Sequence, residues 1–431
     1  MLISKKALMQ YTMLYFMLIM NQTQSYRLYI GNNTQVLLLI VVLCSVSLLI
    51  HHRRKAASGF AFVIFLLIST IVSRILHGGI GLLFWVEMAA KILVTYCVVL
   101  IDPDNFLRRF VKTVVFFAAI SIVGWIQQIA GLNILVRYFP RHPESFSTSL
   151  WDSITGVKSV TNYWVHGLWL YCTTTRELMR NIGLFTEPGI YQMVLNAAVF
   201  LLVFYKEDLK IDDKKNRYYL IVCIIALITT QSTSGYIGLS VIFIGVLLSN
   251  KEGVKETKNI IYLVLLVGVV VLSVDASIRG NDSIIHKAVI SKFFGNSGKV
   301  DISASTGVYR MASIITAIEA MIKHPLGLGH DGWLEFSMIN ELSGTGGWPL
   351  KIGAILGVVP FVGTLYWIIS PLKYRRKSFI QNFIVVFLYM NSSLAQSSAF
   401  YPTLIMVPVY LTLVYKNRAC NGGENIHAAG F

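Results

Sequence analysis

The chain has 431 residues, of which 55% are hydrophobic and only 13% are charged. Its mean hydropathy of +0.64 is too high for a soluble multidomain enzyme, so the composition predicts an integral membrane protein. The formal net charge of +16 does not indicate nucleic acid as a partner, because the lysines and arginines fall mainly in short loops between apolar runs. That distribution is the positive-inside signature of a multi-pass membrane protein.

The apolar runs do not alternate as the strands of a membrane barrel would, so they predict helices. We therefore expect an all-α polytopic membrane protein, a single domain over residues 1–431, with about 12 transmembrane or re-entrant helices and both termini in the cytoplasm. The predicted helices are 7–20, 36–50, 59–76, 82–101, 114–130, 189–205, 218–230, 236–248, 260–274, 352–369, 379–394 and 404–415. The pair 218–230 and 236–248, and the last pair, are open to interpretation as re-entrant hairpins.

Two connections are long, residues 131–187 and 276–351, and the charge distribution places both outside the cytoplasm as large periplasmic loops. Compact membrane proteins seldom keep connections of this length unless they carry function. In the second, apolar residues at helical spacing predict a helix over 310–323 that lies flat at the outer surface, and His324 and Pro325 end it.

The first loop contains four arginines, a side chain that binds phosphate or carboxylate with two parallel hydrogen bonds. They are Arg137, Arg141, Arg176 and Arg180. They indicate an anion site outside the membrane, although pairing with nearby glutamates or contact with lipid headgroups is the competing interpretation. Arg180 differs from the others, because Pro188 and Gly189 fix the carboxylate of Glu187 at the start of the next helix. We therefore predict that Arg180 and Glu187 act together.

The second loop offers Arg310 at the start of its helix, with Tyr309 beside it, and then the residues 324–331. Glycines in that stretch would let the backbone approach a ligand closely. His324 is equally well explained as a cap at the carboxyl end of the helix. His330 is a candidate catalytic group, with a hydrogen-bonded surface histidine as the alternative.

Three charged residues, Arg74, Glu87 and Lys91, lie within apolar runs. Glu87 precedes Lys91 by four residues, which favours a neutralising ion pair on one helix. Metal chemistry has little support, because the one Asp-x-Asp motif, at residues 102–104, falls on the predicted cytoplasmic side. No phosphate-binding loop or dinucleotide fingerprint occurs, so we expect no metal and no cofactor.

Five features follow one another in this chain. They are Arg180-x-x-Gly183-x-Phe185-x-Glu187-Pro188 ahead of a helix, the Ser/Gly turn at 230–238, the Arg310 helix, the stretch His324-Pro325-Leu326-Gly327-x-Gly329, and the two large outer loops. Together they resemble the O-antigen polymerase and ligase superfamily, and the Wzy-type polymerases in particular, from residue 176 to about residue 363. The chain departs from that pattern in its Ser/Gly turn, where many relatives carry an arginine and this chain has Ser234-Gly235-Tyr236.

The resemblance implies a metal-independent, inverting membrane glycosyltransferase that transfers a glycan from undecaprenyl pyrophosphate to a sugar hydroxyl of another lipid-linked repeat unit. The chemistry of that transfer gives our candidate residues their roles: Arg180 and Arg310 stabilise the leaving pyrophosphate, Glu187 or else His330 accepts the proton, and Arg141, Arg176, Tyr309 and His324 bind substrate. It also implies the bacterial inner membrane with the site facing the periplasm. The implied partners are lipid-linked oligosaccharides, membrane lipid and a chain-length regulator, without nucleic acid.

Two other functions stay open at this point. A ligase of the same superfamily would transfer finished glycan to lipid A core. A flippase or transporter of lipid-linked sugar would suit about twelve helices with charged residues inside the membrane, although the two large outer loops and the lack of two-half symmetry speak against it.

Overall fold

The computed structural model describes residues 4–23, 25, 53–78, 82–132, 141–147, 160–166, 169–174, 180–249, 306–339, 347–375, 379–396 and 398–416, with isolated positions between 258 and 283. The chain is mostly helical, as predicted. The predicted helix 36–50 and nearly all of 260–274 lie outside these residues.

Four helices open the described chain: α1 (Lys5–Ile19), α2 (Arg53–His77), α3 (Leu82–Ile101) and α4 (Phe106–Ile129). Helix α3 has the predicted bounds, whereas α4 begins at Phe106 rather than at residue 114 and so includes basic residues of the preceding loop. Among the described residues three helices, α2, α3 and α4, are long and apolar enough to cross a membrane.

The core of the bundle is helix α5 (Pro188–Phe204), which is buried along its length except at Gly189 and Ala197. A short helix α6 (Lys206–Leu209) follows it, and then α7 (Asp213–Thr229) and α8 (Thr233–Leu247) form a pair joined by residues 230–232. Helix α5 packs against α4, α7 and α8. Gln192 and Asn196 of α5 are buried, and their amides hydrogen-bond to neighbouring protein groups, which fits a central place because hydrocarbon offers a polar side chain no partner.

The second half of the chain contains α9 (Thr306–Lys323), α10 (Gly329–Ile339), α11 (Leu350–Leu356), α12 (Val358–Ile369), α13 (Phe379–Ala395) and α14 (Pro402–Tyr410). A 3₁₀ segment, Ser370–Tyr374, extends α12, and a π-helical segment, Leu411–Lys416, extends α14. The helix predicted over 310–323 is confirmed as α9, and it ends directly before His324 as expected.

One predicted crossing, 352–369, is wrong as a single helix, because the chain breaks at Gly357 into α11 and α12. Gly357 has φ +101°, a conformation that only glycine adopts easily. Residues 325–328 occupy the break: the Val358 N–H donates to the Pro325 carbonyl at 2.9 Å, and the Leu328 N–H donates to the Ala354 carbonyl at 2.9 Å. The backbone groups freed by the break are therefore satisfied within the protein.

The same contact gives Gly327 a structural role. A Cβ atom on Gly327 would lie 2.5 Å from the Ile355 carbonyl oxygen, and one on Gly357 would lie 2.8 Å from the Pro325 carbonyl oxygen. Gly327 thus allows the close approach of two backbone segments of this chain.

Substituting Gly327 with alanine is expected to lower the free energy of unfolding by more than about 2 kcal/mol, since both the positive φ and the backbone contact oppose a side chain. Thermal unfolding of the purified protein in detergent measures this. Gly332→Ala, within helix α10, is the matched control. A Cβ atom on Gly332 would meet only the Leu328 side chain, at an ordinary contact distance of 3.4 Å. Equal unfolding midpoints for the two variants would contradict the packing.

The long connection 131–187 contains a small sheet that the sequence did not predict. Strands β1 (Arg141–Ser147), β2 (Val160–His166) and β3 (Thr173–Thr174) pair antiparallel in that order. Arg141 pairs with His166 at one end of the β1–β2 ladder. The mostly helical fold therefore carries one short β element within residues 131–187.

Candidate functional site

The segment that begins at Arg180 is fixed by Asn181, a fully buried residue. The Asn181 amide nitrogen donates to Ser121 Oγ at 3.1 Å and to Thr229 Oγ1 at 2.9 Å, and its Oδ1 accepts from the Gly183 N–H at 2.9 Å. Its own N–H donates to the Thr229 carbonyl at 3.0 Å. A buried amide with this many partners makes the segment rigid. Sequence reasoning missed Asn181, whose one signal was its place beside Arg180.

The guanidinium group of Arg180 is half-buried and binds the turn that follows helix α7. Its Nε donates to the Thr230 carbonyl and its Nη2 to the Gln231 carbonyl, each at 3.1 Å. A cation at the carboxyl end of a helix is favoured by the helix dipole, so Arg180 acts here as a cap. The positive charge is consequently held in one position.

Glu187 occupies the N-cap position of the central helix α5, and its side chain is exposed. Its carboxylate accepts no hydrogen bond from the helix backbone. The backbone beside it is held by the end of α1, where the Thr186 N–H donates to the Gln22 carbonyl at 3.1 Å and Phe185 bridges Thr23. The carboxylate is thus placed by a firm backbone and left accessible to solvent.

Two buried amide side chains connect the turn that Arg180 binds to the start of the helix that follows Glu187. Gln192 donates to the Gly189 carbonyl at 2.9 Å and to Ser234 Oγ at 3.4 Å, and its own Oε1 accepts from Asn196 at 2.8 Å. Asn196 also donates to the Gly235 carbonyl at 3.1 Å. Gln192 and Asn196, four residues apart, share one face of α5. The Ser/Gly turn that Arg180 caps is therefore joined by hydrogen bonds to the start of the Glu187 helix.

Helix α13 closes the same region. Asn391 donates to the Ser234 carbonyl at 2.9 Å. Gln396, 3% exposed, lies against Gly189, and its Nε2 has no hydrogen-bond partner among the described residues. We refer to Arg180, Glu187, the 230–235 turn and these amides as the polar cluster. It lies at the end of the bundle where α5 and α8 begin and α7 and α13 end.

His330 is the second residue of α10, and its ring contacts Phe84 with 6.3 Å between ring centres. Its Nδ1 is buried without a partner in the part of the chain that the structure describes. Phe84 in turn stacks on Trp348 at 5.6 Å. The described contacts of His330 thus place it among aromatic residues near the start of α3, and none of them joins it to Glu187.

Lys351, which sequence analysis did not single out, is buried in the same region at the end of the second outer loop. Its Nζ lies 5.5 Å from the centre of the Trp333 ring. Burial lowers the pKa of Lys351 to about 8, because desolvation opposes the charged form. The sequence analysis placed Lys351 at the end of the connection 276–351 rather than within an apolar run, and so did not single it out.

The other predicted site residues are placed only in part. Tyr309 and Arg310 belong to the first turns of α9, but their side chains lie outside the described atoms, as does the side chain of Arg141 on β1. His324 follows α9 directly and is exposed, with its ring 6.1 Å from that of Phe336. Arg176 lies outside the described residues.

One prediction about charged residues is tested by a contact. Glu87 and Lys91 form the expected ion pair at 2.7 Å, and Lys91 is 1% exposed, so the prediction that these two charges neutralise each other is confirmed. On the predicted cytoplasmic side, Asp102 pairs with Arg109 at 2.7 Å and accepts from Asn105. Within the described residues no group of three His, Cys, Asp or Glu side chains is arranged to hold a metal ion.

Comparison of the chain with models of protein families, with curated proteins and with solved structures found no match. The functional argument therefore depends on the residues and on their geometry.

Proposed function

We propose that the chain is a membrane glycosyltransferase that polymerises lipid-linked oligosaccharide repeat units. The donor is a glycan on undecaprenyl pyrophosphate, and the acceptor is a sugar hydroxyl of a second lipid-linked repeat. The observation that carries the proposal is the polar cluster, because it holds a fixed cation, Arg180, and an accessible carboxylate, Glu187, at one end of a bundle with apolar helices.

The transfer reaction needs both a fixed cation and a base. When the glycosidic bond forms, the bond from the anomeric carbon to the pyrophosphate oxygen breaks, and negative charge develops on the leaving group, which Arg180 and Arg310 would stabilise. The acceptor hydroxyl loses its proton to Glu187, with His330 as the alternative base. Attack from the face opposite the pyrophosphate inverts the anomeric carbon. Arg141, Arg176, Tyr309 and His324 would bind the remainder of the two substrates.

The proposed location is the bacterial inner membrane, with the polar cluster facing the periplasm. This orientation follows from the lysines and arginines of the short loops, which the positive-inside rule assigns to the cytoplasm. The product would be O-antigen, capsule or another exported polysaccharide, and a chain-length regulator is a proposed partner.

A direct experiment uses the purified protein in nanodiscs with lipid-linked repeat units and no added nucleotide. Under the proposal, a ladder of polymer forms and free undecaprenyl pyrophosphate is released in step with it. A flippase would make no polymer. Deletion of the gene distinguishes a polymerase from a ligase. Loss of a polymerase leaves a single repeat on lipid A core, whereas loss of a ligase leaves none.

Replacing Glu187 with glutamine is expected to slow polymer formation by roughly 10²- to 10⁴-fold, the usual range for a lost general base. The variant should accumulate and unfold as the parent does, since the carboxylate is exposed and caps no backbone group. Glu335→Gln is the matched control, an exposed carboxylate on the outer helix α10. Unchanged rates in Glu187→Gln would remove Glu187 from the reaction and leave His330 to be tested.

A further inference from the structure

Helix α9 exposes a stripe of large apolar side chains. Met311, Ile315, Ile318 and Ile322 are between 40% and 76% exposed. Their spacing of four, three and four residues places them on a single face of the helix. The term "α9 stripe" below means these four residues.

The opposite face of α9 is made mostly of small and polar residues. Ser313, Thr316, Ala317 and Ala320 are buried there together with one larger residue, Met321, and the helix packs against α11. A surface helix of a water-soluble protein has the reverse arrangement, with its large apolar residues toward the protein and its polar residues outside. Small residues at helix contacts and large apolar residues facing outward are the arrangement of helices in lipid.

The stripe continues beyond the end of the helix. Leu326, 69% exposed, follows Ile322 in the segment that occupies the break at Gly357. That segment binds α12 through the Pro325 carbonyl and the Val358 N–H, next to Val359, which is 71% exposed. The exposed apolar surface is thus shared between α9 and α12.

The same surface meets a helix that is long and apolar enough to span a membrane. Gly329 lies against the His77 side chain at the carboxyl end of α2, and Ser73 donates to the Ile355 carbonyl at 3.2 Å. Helix α2 exposes Ile64, Ile68, Ile71, Val72, Ile75 and Leu76. The exposed apolar surface of α2, which also carries Arg74 and His77, therefore adjoins residues 325–329 and, through exposed Leu326, the end of the α9 stripe.

Among the described side chains of α9, Glu319 and Lys323 lie beside the stripe and pair with each other. Lys323 binds Glu319 at 2.7 Å, four residues apart on the helix. A neutralised pair is compatible with a position at the boundary of hydrocarbon, where a single charge is costly.

We propose that the α9 stripe is embedded among phospholipid acyl chains, in the leaflet next to the carboxyl end of α2. Helix α9 is then an in-plane membrane helix rather than part of a loop in water. The inference is independent of the proposed glycosyltransferase activity, because it rests only on the polarity of α9 and on the continuity of its stripe with a helix long and apolar enough to cross a membrane.

Photo-cross-linking tests the occupant of the stripe directly. p-Benzoylphenylalanine is introduced singly at Ile315 and at Ile322, the protein is irradiated in nanodiscs of defined phospholipid, and adducts are identified by mass spectrometry. The positive control is Ile68 on α2, and the negative control is Lys214, an exposed residue before the apolar part of α7. The result expected is a mass increase of one phospholipid at 315 and 322, in a yield comparable to that at 68 and well above that at 214.

Three results would overturn the proposal, provided that position 68 gives its lipid adduct. A dimer band on denaturing gels would show a second copy of the chain against the stripe. A cross-link within one chain would show that another segment covers it. No adduct at 315 and 322 would show that the stripe faces water.

Discussion

Replacing Arg180 with alanine is expected to abolish long-chain glycan while the protein still reaches the membrane. The guanidinium group is fixed by two backbone carbonyls, so its charge is in place before the pyrophosphate leaves. Removing one preorganised donor of this kind slows catalysis by roughly 10²- to 10³-fold. The rate of polymer formation by the purified variant in nanodiscs measures the loss, and gel analysis of cellular glycan shows its consequence.

Arg180 also stabilises the fold, because it caps helix α7, and a lost cap costs about 1 kcal/mol. Asn181→Ala separates the two roles. It removes a buried amide with several partners and so should lower the unfolding midpoint more than Arg180→Ala does, while the cation stays in the sequence. Arg180→Lys keeps a point charge without the planar fork of donors and should retain a part of the activity.

The matched control for the charge is Arg108→Ala, a half-buried arginine in the first turn of α4 that donates to Asn105 at 2.7 Å. It should leave polymer formation unchanged. The proposal fails if Arg180→Ala makes glycan of full length. It also fails if Arg180→Ala and Asn181→Ala lose activity in the same proportion to their loss of stability.

Local sequence patterns predicted the features of this fold that depend on neighbours along the chain. The apolar run 82–101 forms α3 with the same bounds, and the helix predicted over 310–323 ends before His324, as the following proline indicates. The Glu87–Lys91 ion pair followed from spacing on one helix. Each of these is decided within a few residues.

Features that depend on contacts between residues far apart in the sequence could not be predicted from local patterns. The apolar run 352–369 reads as one crossing, and only the insertion of residues 325–328 requires the break at Gly357. Within the candidate site, Arg180 and Glu187 were recognised from charge beside an apolar run, but their connection runs through Gln192 and the Ser/Gly turn, across four helices. The sequence alone does not show which asparagine and glutamine side chains on different helices will hydrogen-bond to one another.

A cluster at the opposite end of α5 constrains the path of the chain. Arg375 Nη2 binds Asp208 at 2.6 Å, and the Tyr415 hydroxyl donates to the same carboxylate at 2.5 Å. Three segments, after α5, after α12 and at the end of the chain's last described helix, therefore meet on one side. The sequence prediction puts the loops around residues 206–217, 373–377 and 416 together in the cytoplasm, with an even number of predicted crossings between each and the next.

Breaking this cluster at Asp208 is expected to destabilise the fold strongly. Arg375 is 3% exposed, and its guanidinium stacks 3.3 Å from the centre of the Tyr205 ring, so it cannot reach water. Asp208→Asn leaves that charge buried without its counter-ion, which costs about 3 to 5 kcal/mol. Thermal unfolding in one detergent, together with the amount of protein in the membrane, measures the effect.

The double variant decides whether the ion pair itself stabilises the fold. Removing both charges in Asp208→Asn with Arg375→Met takes away the uncompensated cation, so most of the lost stability should return. The exposed pair Asp212 and Lys215, joined at 2.8 Å, supplies the control, and Asp212→Asn should leave unfolding nearly unchanged because asparagine caps α7 equally well. If Asp208→Asn also unfolds like the parent, Arg375 has another counter-charge, and the shared side of the three segments loses its support.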